Sequence, residues 1–359
     1  MTWSKAWRRV IVWTIGTCSM TLGKRKAAAI AAICLALLAA GVTLACAMLV
    51  PAVAGDAAVV LLIDGDDTRD SVSVRLDSLL KPLPAWGVSL AGNMAGMPVR
   101  TGHYVLTGDD SALDVFYKLR GGLQQPVDLV VPSVRTSGQL AARLASQLML
   151  DSASIARALG DSAVCARHGF TRQTMPAMFI PDTYEVYWDT GVDRLLSRMH
   201  REYDAFWNER RRAKAEALGM TPLEVSVLAS IVDEETAIDD EKPTVAGLYV
   251  NRLRRGMPLQ ADPTVKYAVG DFGLQRILHK HLQVDSPYNT YLHPGLPPGP
   301  IRVPSVAGID AVLDCERHDY LYMCAKEDFS GRHNFASTLA RHNANAARYR
   351  RALDRRGIR

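Results

Sequence analysis

Thr221-Pro-Leu-Glu-Val-Ser-Val-Leu-Ala-Ser-Ile-Val-Asp-Glu-Glu-Thr236 starts as a helix should and ends on three acids. Thr221 with Glu224 three residues on is a capping box, in which each side chain satisfies a free backbone N–H of the other. Pro222 stands at the first helical position, where its missing N–H costs nothing. At about 100° per residue, Val225, Leu228, Ile231 and Val232 form one apolar stripe. Glu235 lies three and four residues beyond Val232 and Ile231, in the middle of that stripe, whereas Asp233 and Glu234 point elsewhere. A carboxyl on the core side, at the helix end whose dipole opposes negative charge, is driven toward its neutral form. A general acid working near neutral pH requires this. The plain alternative is a surface acidic cluster where the helix meets a rim.

Outward from this helix, Val245 to Leu253 is a second apolar-periodic helix, leading into Gly256-Met-Pro-Leu-Gln-Ala-Asp-Pro-Thr264. Ser286-Pro-Tyr-Asn-Thr-Tyr291 and Gly295-Leu-Pro-Pro-Gly-Pro-Ile301 follow. Loops of this composition have restricted backbones and present amides, phenols and carboxyls. A sugar cleft needs directional polar groups and flat apolar faces, so Gln260, Asp262, Tyr288, Asn289 and Tyr291 are candidate substrate-binding residues. The alternative is that Pro and Gly build turns while Asn251 and Asp262 cap helices.

The 359 residues suffice for two or three packed domains, and 48% hydrophobic content excludes a disordered chain. Ala27 to Gly55 carries no charge, longer than the roughly 20 apolar residues a membrane span needs. Lys24-Arg25-Lys26 precedes it and Asp56 follows, which places residues 1–26 in the cytoplasm, 27–55 in the membrane and the chain after about residue 56 outside. A cleaved signal peptide is the rival; Ala52-Val53-Ala54 looks like a cleavage site, but a signal's apolar region is usually about 7 to 15 residues. Six of the 42 basic residues precede Asp56 and no acid does, leaving 36 bases against 37 acids. The overall positive charge therefore belongs to the N-terminal segment and does not point to nucleic acid; the basic run Arg348 to Arg359 reads as a solvated helix face. Cys165, Cys315 and Cys324 would face an oxidising space, with Cys315–Cys324 as one pairing. No Cys/His spacing suggests zinc.

Between span and helix, residues 57–125 read as a small α+β unit: strands at Ala57–Asp64 and His103–Leu106, helices at Ser71–Leu80 and Ser111–Leu119. Residues 126–170 begin with a strand at Val127–Val131, then helices from Thr136 to Gln147 and from Ser152 to Leu159, the pattern of a small glycan-binding LysM-like module. Leu195 to Leu218 reads as one long amphipathic helix within a domain at 174–359.

Taken together, these segments resemble the endolytic murein transglycosylase family (MltG, YceG-like). The matching pieces are Leu228–Thr236, Val250-Asn-Arg-Leu253, Gly256–Val265, Tyr288–Tyr291 and Gly295–Gly299. Phe179-Ile-Pro-Asp-Thr-Tyr184, His333-Asn-Phe335 and His342-Asn343 also fit. The resemblance implies an α+β protein with a single N-terminal transmembrane helix in the inner (cytoplasmic) membrane, a LysM-like subdomain and a catalytic domain at 174–359. It implies a lyase that cuts peptidoglycan strands internally at MurNAc-β-1,4-GlcNAc bonds, leaves 1,6-anhydro-MurNAc ends and ends strand elongation. No metal or cofactor is implied. Peptidoglycan strands and the membrane are the implied partners, with peptidoglycan synthases beside them. The family's essential glutamate is the second acid of an acid–any–Glu–Thr motif and maps to Glu235; Asp233 stands where Glu is frequent and Glu234 where Lys is common, which makes Glu234 the fallback. Asn289 and Gln260 are candidates to stabilise an oxocarbenium charge. Two rivals are a hydrolytic muramidase, with Asp262 or Asp182 as second carboxylate, and an anchored scaffold without turnover.

Overall fold

The computed structural model describes residues 5–55, 57–274 and 276–357. Asp56, Met1 to Ser4 of the basic N-terminus and the last two residues of the basic C-terminal run lie outside the described residues. The chain is mixed α+β and divides into two compact units, 1–126 and 127–359.

The first unit starts with α1 (Lys5–Leu49), within which Lys24–Leu49 is long and apolar enough to cross a membrane. At 1.5 Å per residue those 26 residues extend about 39 Å, against a hydrocarbon core of about 30 Å. Ile30, Leu35, Leu37 and Leu38 on it are all exposed. There follow β1 (Val59–Ile63), α2 (Arg69–Leu79), α3 (Pro82–Ala95), β2 (Gly102–Leu106) and α4 (Ala112–Gly121). β1 and β2 pair antiparallel, and their alternation buries Leu61, Ile63, Tyr104 and Leu106 on one face. Ser111 caps α4 through a capping box with Asp114, and Gly122 ends it in the left-handed conformation (φ 67°). α3 has no counterpart among the expected helices. Its prolines sit in the first turn, where they are harmless, and Gly87 is required because a Cβ there would collide with the Ala47 carbonyl of α1. Ala52 and Val53, the stretch that looks like a cleavage site, are buried in this unit's core.

The second unit contains two apolar clusters. The first is built from β3 (Val127–Val130), α5 (Ser137–Ala145), α6 (Ser152–Gly160), α7 (Ser162–Arg167), β4 (Thr183–Val186) and the start of α8 (Val192–Phe206). β3 pairs antiparallel with β4, Leu129 opposite Tyr184, so the expected boundary at 170–174 is not a break in packing. The second cluster surrounds α10 (Pro222–Glu235) with α9 (Glu209–Leu218), α11 (Lys242–Arg254), α12 (Asp262–Val269) and, after the short α13 (His279–Leu282), α14 (Val306–Leu313). A hairpin of β5 (Tyr322–Ala325) and β6 (His333–Ala336), followed by α15 (Leu339–Arg355), completes the chain.

The single helix expected over Leu195–Leu218 is two. Trp207 leaves helical geometry (ψ 55°) with its ring buried in the second cluster, and the Asn208 side chain accepts from the Arg211 N–H to start α9. Burying the indole outweighs the continuous backbone ladder. The Cys315–Cys324 pairing is not present either: both thiols are free, Cys315 beside a cavity at the end of α14 and Cys324 on β5 facing a different one.

Candidate active site

The capping box at the start of α10 forms as the sequence requires. The Glu224 carboxylate accepts from the Thr221 N–H at 2.7 Å, and the Thr221 hydroxyl accepts from the Glu224 N–H at 3.2 Å. With its start fixed, the apolar stripe is buried throughout, and Ser230 within it accepts from the Ile301 N–H, tying the Pro297–Ile301 loop to the helix.

The last turn sends three successive carboxyls in three directions. Asp233 is buried and accepts from the Ser305 N–H and hydroxyl, both at 2.7 Å, and pairs with Lys242 at 3.0 Å. It thereby fixes the N-terminus of α14, where a Cβ on Gly308 would lie 2.7 Å from its carboxylate. Glu234 is gripped by Arg135 through two bonds of 2.8 Å and by Arg302 at 3.0 Å. Both its oxygens are committed to guanidinium groups, so the fallback position is occupied by a structural link to the loop after β3. Glu235 faces a cavity of about 250 Å³.

This cavity is walled by Tyr249 and Arg252 of α11, Gln260 and Asp262, Tyr291, and Met323, Cys324 and His333 of the hairpin. The buried Tyr249 hydroxyl donates to Glu235 Oε1 at 2.6 Å. Burial pushes the Glu235 carboxyl from an ordinary 4.5 up to about 7. The Tyr249 bond opposes that rise, while the nearby Asp262 and Glu234 charges add to it. The Tyr249 phenol is itself held well above its usual range by burial and by the Glu235 charge, so it stays a donor. Also in the lining, the Tyr291 hydroxyl donates to Asp262 Oδ1 at 2.6 Å.

Four of the six residues singled out from sequence meet here: Glu235, Gln260, Asp262 and Tyr291. Gln260 occupies the left-handed region (φ 51°), a strained conformation for a residue with a side chain, and its N–H donates to the Thr290 carbonyl. Tyr288 and Asn289 do not line the cavity. Tyr288 packs on Tyr267 with ring centroids 4.7 Å apart. Asn289 is fully buried; its amide donates to the Leu282 and Val284 carbonyls and its carbonyl accepts from the Tyr291 N–H. It shapes the loop that carries Tyr291 and, buried outside the cavity lining, does not face the place where an oxocarbenium charge would form. Asp182, the other candidate second carboxylate, precedes β4 and also lies outside the lining.

Three residues that build the site were not named as site candidates, although Arg252 and His333 lie in segments that match the family. Arg252 is buried and donates to the carbonyls of Leu321 (2.6 Å), Leu259 (2.7 Å) and Pro258 (3.1 Å), joining the hairpin to the Gln260 loop. His333 enters the cavity wall with Nδ1 paired to the buried Glu241 at 2.9 Å. Tyr249 is the third; in sequence it is one aromatic within the apolar-periodic run Val245 to Leu253.

The sequence profile of the YceG-like family matches residues 71–348, about three quarters of the chain. The chain belongs to the YceG-like family. A YceG-like protein of Listeria monocytogenes has a crystal structure that superposes with a TM-score of 0.54 at 25% identity, covering 81% of this chain and 99% of that one. A Bacillus subtilis protein named endolytic murein transglycosylase is 34% identical over 161 residues, 45% of this chain and 44% of that protein. A Streptococcus pneumoniae protein of the same name is 28% identical over 186 residues, 50% of this chain and 33% of that protein. The matched part is thus less than half the length of either relative. As a YceG-like chain, this one carries its only cavity-facing glutamate of the Asp233–Glu235 triplet at the position that helical phase selects.

Proposed function

We propose that this protein is an endolytic peptidoglycan lytic transglycosylase anchored in the inner membrane by α1, with its N-terminus in the cytoplasm and its cavity outside. One observation carries the reading: the Glu235 carboxyl, its pKa raised to about 7 by burial, faces a cavity lined also by the Tyr249 and Tyr291 phenols, Gln260, Arg252, His333 and the Tyr291-bound Asp262. The name shared by the Bacillus and Streptococcus relatives supports the substrate. The burial of Ala52 and Val53 supports an anchor that is retained.

In this mechanism neutral Glu235 protonates the oxygen of the MurNAc-β-1,4-GlcNAc bond, and the C–O bond breaks through an oxocarbenium-like state. Tyr249 already occupies Oε1 as a donor, so Oε2 carries the proton and Oε1 takes the developing negative charge. The Asp262 carboxylate in the same cavity stabilises the sugar cation. The Glu235 carboxylate then accepts the proton of the MurNAc C6 hydroxyl, and O6 closes on C1 as a 1,6-anhydro ring. The nucleophile is intramolecular, which can contribute as much as about 7 to 11 kcal/mol. One carboxyl serves as acid and then base, unlike the two-carboxylate arrangement of ordinary glycosidases.

Asp262 in the same cavity favours one second reading, a hydrolytic muramidase. Digestion of purified peptidoglycan separates the two by mass, because a 1,6-anhydro product is lighter by one water. Glu235→Gln should abolish cutting while the protein stays folded; retained activity overturns both readings. The β3–α5–α6–β4 arrangement supports reading the first cluster as a LysM-like glycan holder. Peptidoglycan synthases in the same membrane are the partners such an anchored cutter would serve.

A further inference from the structure

Outside the catalytic cavity, a groove of about 350 Å³ opens between the loop after β3, α5 and Arg302. Ser133, Val134, Arg135, Gln139, Arg143 and Arg302 line it. Three guanidinium groups line it, and among the described residues the one carboxylate bonded to them is Glu234.

The groove adjoins the catalytic helix. Glu234 and Glu235 are consecutive, their Cα atoms about 3.8 Å apart, so the groove and the cavity lie on two sides of the same helical turn. Two of the arginines are held in place. Arg302 donates from Nε to the Ser133 hydroxyl at 3.0 Å and from Nη2 to the Ser133 carbonyl at 3.1 Å. Arg135 takes both Glu234 oxygens and lies over the Phe272 ring, 5.5 Å from its centroid. A guanidinium has five N–H donors, so each of the two keeps some unused. Arg143 stands exposed on α5, and among the described residues its side chain has no hydrogen bond or ion pair.

A neutral N-acetylated glycan needs no positive charge to bind. The peptides attached to its lactyl groups do present free carboxylates, and the planar arginine fork matches a carboxylate through paired N–H bonds. We propose that the Arg135–Arg143–Arg302 groove binds the carboxylates of stem peptides on the strand being cut, which rests on the transglycosylase reading above. The fixed pair sets the direction of the peptide, and Arg143 closes on it from the open side.

The test uses the full chain in detergent and two probes: uncross-linked glycan strands bearing stem peptides, and the same strands stripped by an amidase. In competition, the wild-type protein should cut stem-bearing strands about fivefold more efficiently, the size expected of exposed charge pairs. The preference should appear in KM and shrink at high salt. Arg143→Ala should lose most of that preference, Arg143→Lys should keep most of it, and Arg143→Glu should invert it. Thermal melting checks that each variant is folded. Equal cutting of both probes by the wild type overturns the groove assignment and leaves the transglycosylase reading intact, as does a preference that survives Arg143→Ala. Failure to cut either probe overturns the transglycosylase reading itself.

Discussion

Replacing Tyr249 by Phe removes one hydroxyl and keeps the ring that fills α11. In the native cavity that hydroxyl donates to Glu235 Oε1 at 2.6 Å and pulls the carboxyl's pKa down against the larger opposing effect of burial. With the pKa at about 7, the neutral fraction falls from about nine-tenths at pH 6 to about one-tenth at pH 8. If neutral Glu235 starts the reaction, wild-type kcat/KM should fall about tenfold across that interval. A hydrogen bond to an ionised carboxylate is worth roughly 1 to 1.5 kcal/mol more than one to its neutral form, about one pH unit. Losing the phenol destabilises the charged form, so the sign is upward and the falling limb moves about one unit toward alkaline pH. At pH 8 the variant should retain about half of its own maximum, against a tenth for the wild type. Its maximum should be lower, because Oε1 has lost the group that orients it. The assay is kcat/KM for solubilised glycan strands between pH 5 and 9, read by mass of the released ends. A limb that stays in place, or moves toward acid pH, refutes the role given to Tyr249. A wild-type rate that is flat from pH 6 to 8 refutes the acid itself.

Two stability predictions accompany it. Raising the Glu235 pKa means that the fold holds its proton more tightly than the unfolded chain does, so the associated stability is present below pH 4.5 and lost as pH rises through about 7. Glu235→Gln should therefore be more stable than the wild type at pH 8, by about 2 kcal/mol after allowing for partial exposure, with no advantage near pH 4; thermal melts at both pH values check this, and a variant less stable at pH 8 counts against it. Gly308→Ala should cost about 1 to 3 kcal/mol in denaturant unfolding, because the added methyl meets the Asp233 carboxylate pinned by Ser305 and Lys242; a neutral result would show that Asp233 can move.

The local features of the central helix were legible because they depend on neighbours in sequence. The Thr221–Glu224 box, Pro222 and the phase of Glu235 are set within one or two turns. What escaped was decided by groups far along the chain. The β3–β4 pairing joins residues more than fifty positions apart, and strand composition does not name a partner. The break at Trp207 depends on a core that only tertiary packing creates. Tyr288 and Asn289 have the right chemistry for a sugar cleft, yet Asn289 spends its amide on the backbone of its own loop, a use that composition cannot distinguish from binding. Arg252 entered only as part of the matching segment Val250–Leu253; its role depends on three backbone carbonyls, one of them about seventy positions away, that only tertiary packing brings to its guanidinium.

The triplet Asp233-Glu234-Glu235 shows how one helical turn separates three identical chemistries. Successive side chains diverge by about 100°, so each carboxyl meets a different environment although their backbones touch. Asp233 meets an N-terminal hydroxyl and amide with a lysine behind them, and becomes the joint between α10 and α14. Glu234 meets two arginines, and becomes the joint to the loop after β3. Glu235 meets the Tyr249 phenol in a buried cavity with no cation bonded to it, and burial together with the nearby Asp262 and Glu234 charges raises its pKa to about 7. The first two joints also serve the third residue, because they fix both sides of the helix end that aims it. Charge reversal at Arg302 would then loosen the Glu234 joint and misdirect Glu235, which ties the geometry of the acid to the same groove that we assign to the stem peptide.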